Sequence, residues 1–135
     1  MKLFRWISTL AYAGVIFYLS SRCWSGPPLF LHADKVIHLV IYAGLGALCV
    51  WALRGTSLRG RAQLLPLAVA MAFIYGVTDE MHQMFVPGRD ASAADLVFDA
   101  IGGFLGAWAA LAFARRMRRK SSFPSDCRGR ARSLS

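Results

Sequence analysis

Apolar residues in this chain fall into four long runs, separated by short polar stretches. They cover residues 3–20, 34–53, 63–83 and 95–114. Each is close to the ~20 residues, or ~30 Å of helix, that a bilayer core requires. The pattern predicts an all-α membrane protein, a four-helix transmembrane bundle. A soluble bundle of buried helices would also be apolar. Four runs of this length joined by short polar loops argue against it, as does a hydrophobic content of 56%. There is no internal repeat, and the only low-complexity stretch is the basic C-terminal tail.

Charge gives the bundle a direction. With four spans, the N-terminus, the loop 54–62 and the C-terminal tail share one face. That face holds Lys2, Arg5, Arg54, Arg59, Arg61, Arg115, Arg116, Arg118, Arg119, Lys120, Arg128, Arg130 and Arg132. The other holds Arg22, Lys35 and Arg89. Thirteen against three is a positive-inside bias, which predicts an N-in/C-in protein of the inner cell membrane with both termini cytoplasmic. The net charge of +9 then reads as a juxtamembrane cluster meeting anionic lipid rather than as a nucleic-acid surface. Residues 1–120 form the membrane domain. Residues 121–135 read as a basic, disordered cytoplasmic tail.

The first run has the charged start and apolar core of a signal peptide, but Ser20-Ser21-Arg22-Cys23 is a poor cleavage site, so an uncleaved anchor is expected. Cys23, Cys49 and Cys127 do not share the oxidising side, and no intramolecular disulfide is expected.

Six of the seven carboxylates gather on the outer side: Asp34, Asp79, Glu80, Asp90, Asp95 and Asp99, with Asp126 in the tail. Ionisable groups at membrane depth are costly, and a cluster of them marks a functional site. Asp34, His38 and Tyr42 recur at helical spacing down one face of the second run. Asp34 alone suits a helix cap, while His38 and Tyr42 need another reason. The third run ends in Asp79-Glu80-Met81-His82-Gln83. Two adjacent acids at the negative end of a helix dipole break an electrostatic rule, which points to a site. The spacing pairs Asp79 with His82 and Glu80 with Gln83. Pro87-Gly88 suits a type II turn that aims Arg89 over the rim, toward a carboxylate or a phosphate. An ion pair of Arg89 with Asp79, Glu80 or Asp95 fits equally well. Ser92-Ala93-Ala94-Asp95 reads as a capping box. Asp99 lies one turn further in, on a stripe with Gly102 and Gly106 that permits close helix packing. It should therefore face a helix interface, with His38, Lys35 or Arg89 as partner.

These residues together resemble the VanZ-like family of small bacterial membrane proteins. The resemblance rests on Asp34-Lys35-x-x-His38-x-x-x-Tyr42-x-x-Leu45. It continues in Asp79-Glu80-x-x-Gln83-x-x-Val86-Pro87-Gly88-Arg89-x-x-Ser92-x-x-Asp95, with Asp99 and Ile101-Gly102, across residues 34–106. Family members often carry Asn at the position of Asp99. The resemblance implies an integral membrane protein, in a family named for a member that gives low-level resistance to the glycopeptide teicoplanin. It implies no reaction.

Three readings of the acidic end follow. As an enzyme on a phosphate-bearing or lipid-linked envelope substrate, it would use Glu80 or His38 as general base and Asp34 to orient His38. Asp79 and Gln83 would stand beside the reacting groups, and Lys35, Tyr42, Arg89, Asp95 and Asp99 would hold substrate. No nucleophile elbow, phosphate loop or H-E-x-x-H is present, so hydrolysis would need an activated water or a metal. His38, His82, Glu80 and Asp34 offer donors, but their spacing matches no standard zinc pattern and no metal is assigned. As a binding or shielding protein, the same polar rim would recognise a cell-wall precursor or a glycopeptide antibiotic. As a clasp, the charges would only fix the helices. A transport path is disfavoured by the few polar residues on the cytoplasmic halves of the first two runs.

Overall fold

The computed structural model describes residues 1–22, 33–56, 61–89 and 92–121. Among them are four α-helices: α1 (Lys2–Ser20), α2 (Ala33–Leu53), α3 (Leu64–Gln83) and α4 (Ala93–Ser121). A single 3₁₀ turn, Arg61–Gln63, leads into α3. There are no strands among the described residues, and all four helices are long and apolar enough to cross a membrane. Cys23, Cys127, Asp90 and residues 122–135 lie outside the described residues.

The helices start and stop where the hydrophobic runs do, with one exception. Pro66 is tolerated in the first turn of α3, where its missing N–H would have had no partner inside the helix. The exception is α4, which runs 29 residues, well past the apolar run ending at Ala114. Lys and Arg are good helix formers and favour the negative end of the dipole. At 1.5 Å per residue α4 is roughly 43 Å long, so its Arg-rich last turns extend beyond a ~30 Å hydrocarbon core.

Helix α2 is the hub, packing most extensively on α4 and then on α3 and α1. Lipid chains are as apolar as leucine, so close packing rather than hydrophobicity must join the helices. Glycines supply it. A Cβ at Gly102 or Gly106 would run into the backbone carbonyls of Leu39 or Ala43, and one at Gly46 into that of Gly103. Buried Tyr42, Leu45, Cys49, Val50, Ala68, Ala72, Ala107 and Leu111 fill the core. Phe4, Ile7, Leu10, Ile74, Phe104, Trp108 and Phe113 point outward, giving the apolar girdle that a bilayer would cover.

Helix α1 is held by side chains that reach backbone carbonyls of α2, in antiparallel order. Arg5 donates to Trp51 O at 3.2 Å and also stacks over its ring; Tyr12 donates to Ile41 O at 3.1 Å. Between them, Thr9 shares its hydroxyl between Arg5 O and Leu48 O. From α3, the Tyr75 hydroxyl donates to Ala13 O at 2.6 Å.

The two ends of the bundle therefore differ chemically. At one end, Leu53, Arg54, Leu64, Leu111, Arg115 and Arg118 line a cavity of about 280 Å³. At the other, α1 meets α3 through Ser21 and His82, and α2 meets α4 through Lys35 and Asp95. The acids occupy this second end.

Candidate functional site

The first two turns of α2 point Lys35 and His38 at α4. Lys35 Nζ lies 3.0 Å from Asp34 Oδ2 and 3.0 Å from Asp95 Oδ1. His38 Nδ1 lies 2.9 Å from Asp99 Oδ1, and Asp99 is fully buried. A neutral His38 donates its Nδ1–H to Asp99 and keeps a free lone pair on Nε2. This corrects the pairing read from helical spacing. Asp34 does not orient His38: its carboxylate is 59% exposed and turns to the adjacent Lys35, while Asp99 holds the imidazole. The first turn of α2 leaves Asp34 open, whereas one turn deeper the facing surface of α4 supplies the partner. Tyr42 continues the stripe, stacked parallel to His38 with ring centroids 6.2 Å apart, and is 1% exposed.

The end of α3 buries Asp79, Glu80 and Gln83. Gln83 Nε2 donates to Asp79 Oδ2 at 3.1 Å, so the pairing runs at four residues rather than the three expected. His82 turns away to α1, 3.0 Å from Ser21 Oγ and against the Phe17 ring. It is therefore not part of the donor set, and neither is Asp34. Glu80 Oε2 accepts the Ser92 N–H at 2.9 Å, across to the start of α4. That corrects the capping box. Ser92 still caps α4, its Oγ accepting the Ala94 N–H at 3.2 Å, but Glu80 takes the bond that Asp95 would have made. Asp95 is released to Lys35. A carboxylate that ends α3 unfavourably is thereby placed at the positive end of α4.

The connecting turn is as the sequence indicates. Gly88 has φ 79° and the Arg89 N–H donates to Val86 O at 3.2 Å, a type II turn centred on Pro87-Gly88. Arg89 is half-buried, and no ion pair joins it to Asp79, Glu80 or Asp95. Its Nε is buried without a partner.

Arg89 Nε is one of five such atoms. Tyr42 Oη, Asp79 Oδ1, Glu80 Oε1 and Asp99 Oδ2 are also buried without a well-formed hydrogen bond among the described residues, the Tyr42 hydroxyl and the Asp79 carboxylate facing one another. Each unmet group of this kind costs about 1–3 kcal/mol, and all five belong to the acidic end. Gly76, overlooked in the sequence, keeps this space open: a Cβ there would come within 3.1 Å of Asp99 Oδ2 and 3.3 Å of the Tyr42 ring. The signal was available, because Gly76, Asp79, Glu80 and Gln83 form one buried helical stripe at spacings of three and four. Finally, one ligand atom each from His38, Glu80 and Asp95 lie within 4.8 Å of one another. Three helices contribute to that group.

Comparison with known proteins places the chain in a family but supplies no characterised relative. A family model described as VanZ/LLP1 matches residues 1–114, most of the chain and all of the site. No curated protein and no solved structure matches it.

Proposed function

The chain belongs to the VanZ/LLP1 family, and we propose that its acidic end is an outward-facing site acting on an amphipathic, anionic substrate of the cell envelope. Buried polar atoms of Glu80, Asp99 and Arg89 that have no partner among the described residues carry this reading, since a fold that only needed a clasp would have satisfied them. Arg89, which pairs with no carboxylate among the described residues and carries a planar fork of donors, suits a phosphate of a lipid-linked precursor. Glu80 is the base of choice: it is buried, holds its position through the Ser92 N–H, and keeps one oxygen free. Asp99 fixes the tautomer of His38, the part first given to Asp34. Lys35 is neutralised by two carboxylates and serves the frame of the site. A cytoplasmic basic end would set the acidic end on the envelope side of the inner membrane, where such a substrate and the antibiotic teicoplanin are both met.

The test pairs function with folding. A bacterial host expressing the wild-type chain should tolerate more teicoplanin than one without it. Glu80→Gln and Arg89→Ala should lose that gain while membrane abundance and the melting temperature in detergent stay near wild type. If Glu80→Gln instead collapses the protein, the structural role takes its place. That second reading has its own support: Lys35–Asp95 and His38–Asp99 both tie α2 to α4. Retained tolerance in both variants would leave only the non-catalytic alternative, a surface that shields or binds the precursor through other groups.

A further inference from the structure

We propose that His38, Glu80 and Asp95 form a binding site for a single first-row transition-metal dication of the Mn²⁺ or Zn²⁺ type. Three observations converge on it. The first is geometry: one donor atom from each residue lies within 4.8 Å of the other two. Two oxygen or nitrogen ligands at ~2.0–2.2 Å from one ion lie about 3.3–3.6 Å apart at tetrahedral angles, so side-chain shifts of about 1 Å close this group into a coordination shell.

The second is the state of each donor. Glu80 is 8% exposed and uses Oε2 on the Ser92 N–H, while Oε1 is buried without a partner. Asp95, 6% exposed, gives Oδ1 to Lys35. His38 is bound by a carboxylate through Nδ1. Metal-ligating histidines almost always donate their second ring N–H to such a group, which fixes the ring and raises its basicity. Asp99 therefore acts on the ion through His38 and is a positioning residue.

The third is charge. Among the described residues of the cluster, the carboxylates of Asp34, Asp79, Glu80, Asp95 and Asp99 stand against the fixed cations Lys35 and Arg89. The excess of negative charge is balanced by a dication or by protons, and the experiment distinguishes the two. One imidazole with two carboxylates favours Mn²⁺ or Zn²⁺ over Mg²⁺, which prefers all-oxygen shells with several waters. Beside Arg89, such an ion supplies a second positive group for an anionic oxygen of the substrate; with it bound, Glu80 Oε1 is a ligand and no longer the base assigned above. That use of the ion rests on the function proposed above; the binding itself does not.

Full-length protein in detergent, stripped with a chelator and titrated with Mn²⁺ or Zn²⁺ alone, should retain one ion per chain by elemental analysis. His38→Asn and Glu80→Gln should each weaken binding at least tenfold, and Asp99→Asn by about 10- to 100-fold, the usual range for second-shell partners. His82→Ala and Asp34→Asn should leave it unchanged. Mn²⁺ on the wild-type protein should show, by electron spin echo, coupling to one directly bonded imidazole nitrogen, a readout that needs no variant to fold. A folded wild type that retains no ion, a spectrum without nitrogen coupling, or an equal loss in His82→Ala overturns the site. Because no substrate enters these measurements, failure here leaves the teicoplanin test standing, and failure there leaves the ion.

Discussion

At the scale of single residues, burial rather than charge decides which acids matter. Asp34 and Asp99 are both carboxylates paired to a cationic or titratable neighbour on α2, but one is open and the other sealed. An exposed pair is worth roughly 0–1 kcal/mol, whereas breaking a buried one by removing a partner costs about 3–5 kcal/mol. Denaturant unfolding in detergent should therefore show Asp34→Ala within about 0.5 kcal/mol of wild type and Asp99→Ala several kcal/mol less stable; equal losses would contradict the burial. Gly76→Ala presses a methyl group on Asp99 and Tyr42 and should cost about 1–3 kcal/mol in the same assay. Sequence spacing identified Asp34, His38, Tyr42, Asp79, Glu80, Gln83, Asp95 and Asp99 as a set and named His38 among the partners of Asp99, as observed, but it gave the orienting of His38 to Asp34 and set Asp79 with His82. Helical periodicity fixes which side chains share a face; it says nothing of how far a helix is rotated against its neighbour. That rotation made Asp99, and not Asp34, the partner of His38, and sent His82 to α1.

At the scale of elements, the lengths of the helices were legible because hydrocarbon imposes them, and the α2–α4 contact was legible from its small residues. Gly102 and Gly106 leave the backbones of Leu39 and Ala43 no room for a side chain. Gly14 on α1 has nothing within 4 Å of its Cβ position. The same substitution should accordingly have opposite signs at the two sites. Gly106→Ala should destabilise by about 1–3 kcal/mol, and Gly14→Ala should stabilise by roughly 0.5–1 kcal/mol through helix propensity. Melting temperatures of the two variants, compared with wild type in one detergent, check this; a neutral Gly106→Ala would mean that α2 and α4 do not approach so closely. The capping box shows where local reading fails. Ser92 and Asp95 satisfy the motif, yet Glu80, far away in sequence, reaches the Ser92 N–H instead. A local motif describes only the competitors near it in the chain.

At the scale of the whole molecule, the separation of charge becomes a statement about sides. Lys2, Arg5, Arg54, Arg115, Arg116, Arg118, Arg119 and Lys120 lie toward one end, while Arg22, Lys35 and Arg89 accompany the acids at the other. Lys and Arg near span ends set orientation, because their transfer across the membrane is resisted. The acidic end should then face outward, and residues near each end can report it. In a chain with Cys23, Cys49 and Cys127 replaced, Phe85→Cys, 83% exposed beside the site, should react with a membrane-impermeant maleimide in intact cells. Thr56→Cys, bordering the basic cavity, should react only after the membrane is opened. The reverse pattern would put Glu80 and Arg89 in the cytoplasm. An envelope substrate would then be out of reach, although a metal bound by His38, Glu80 and Asp95 would not be, so orientation constrains the substrate of this site independently of its chemistry.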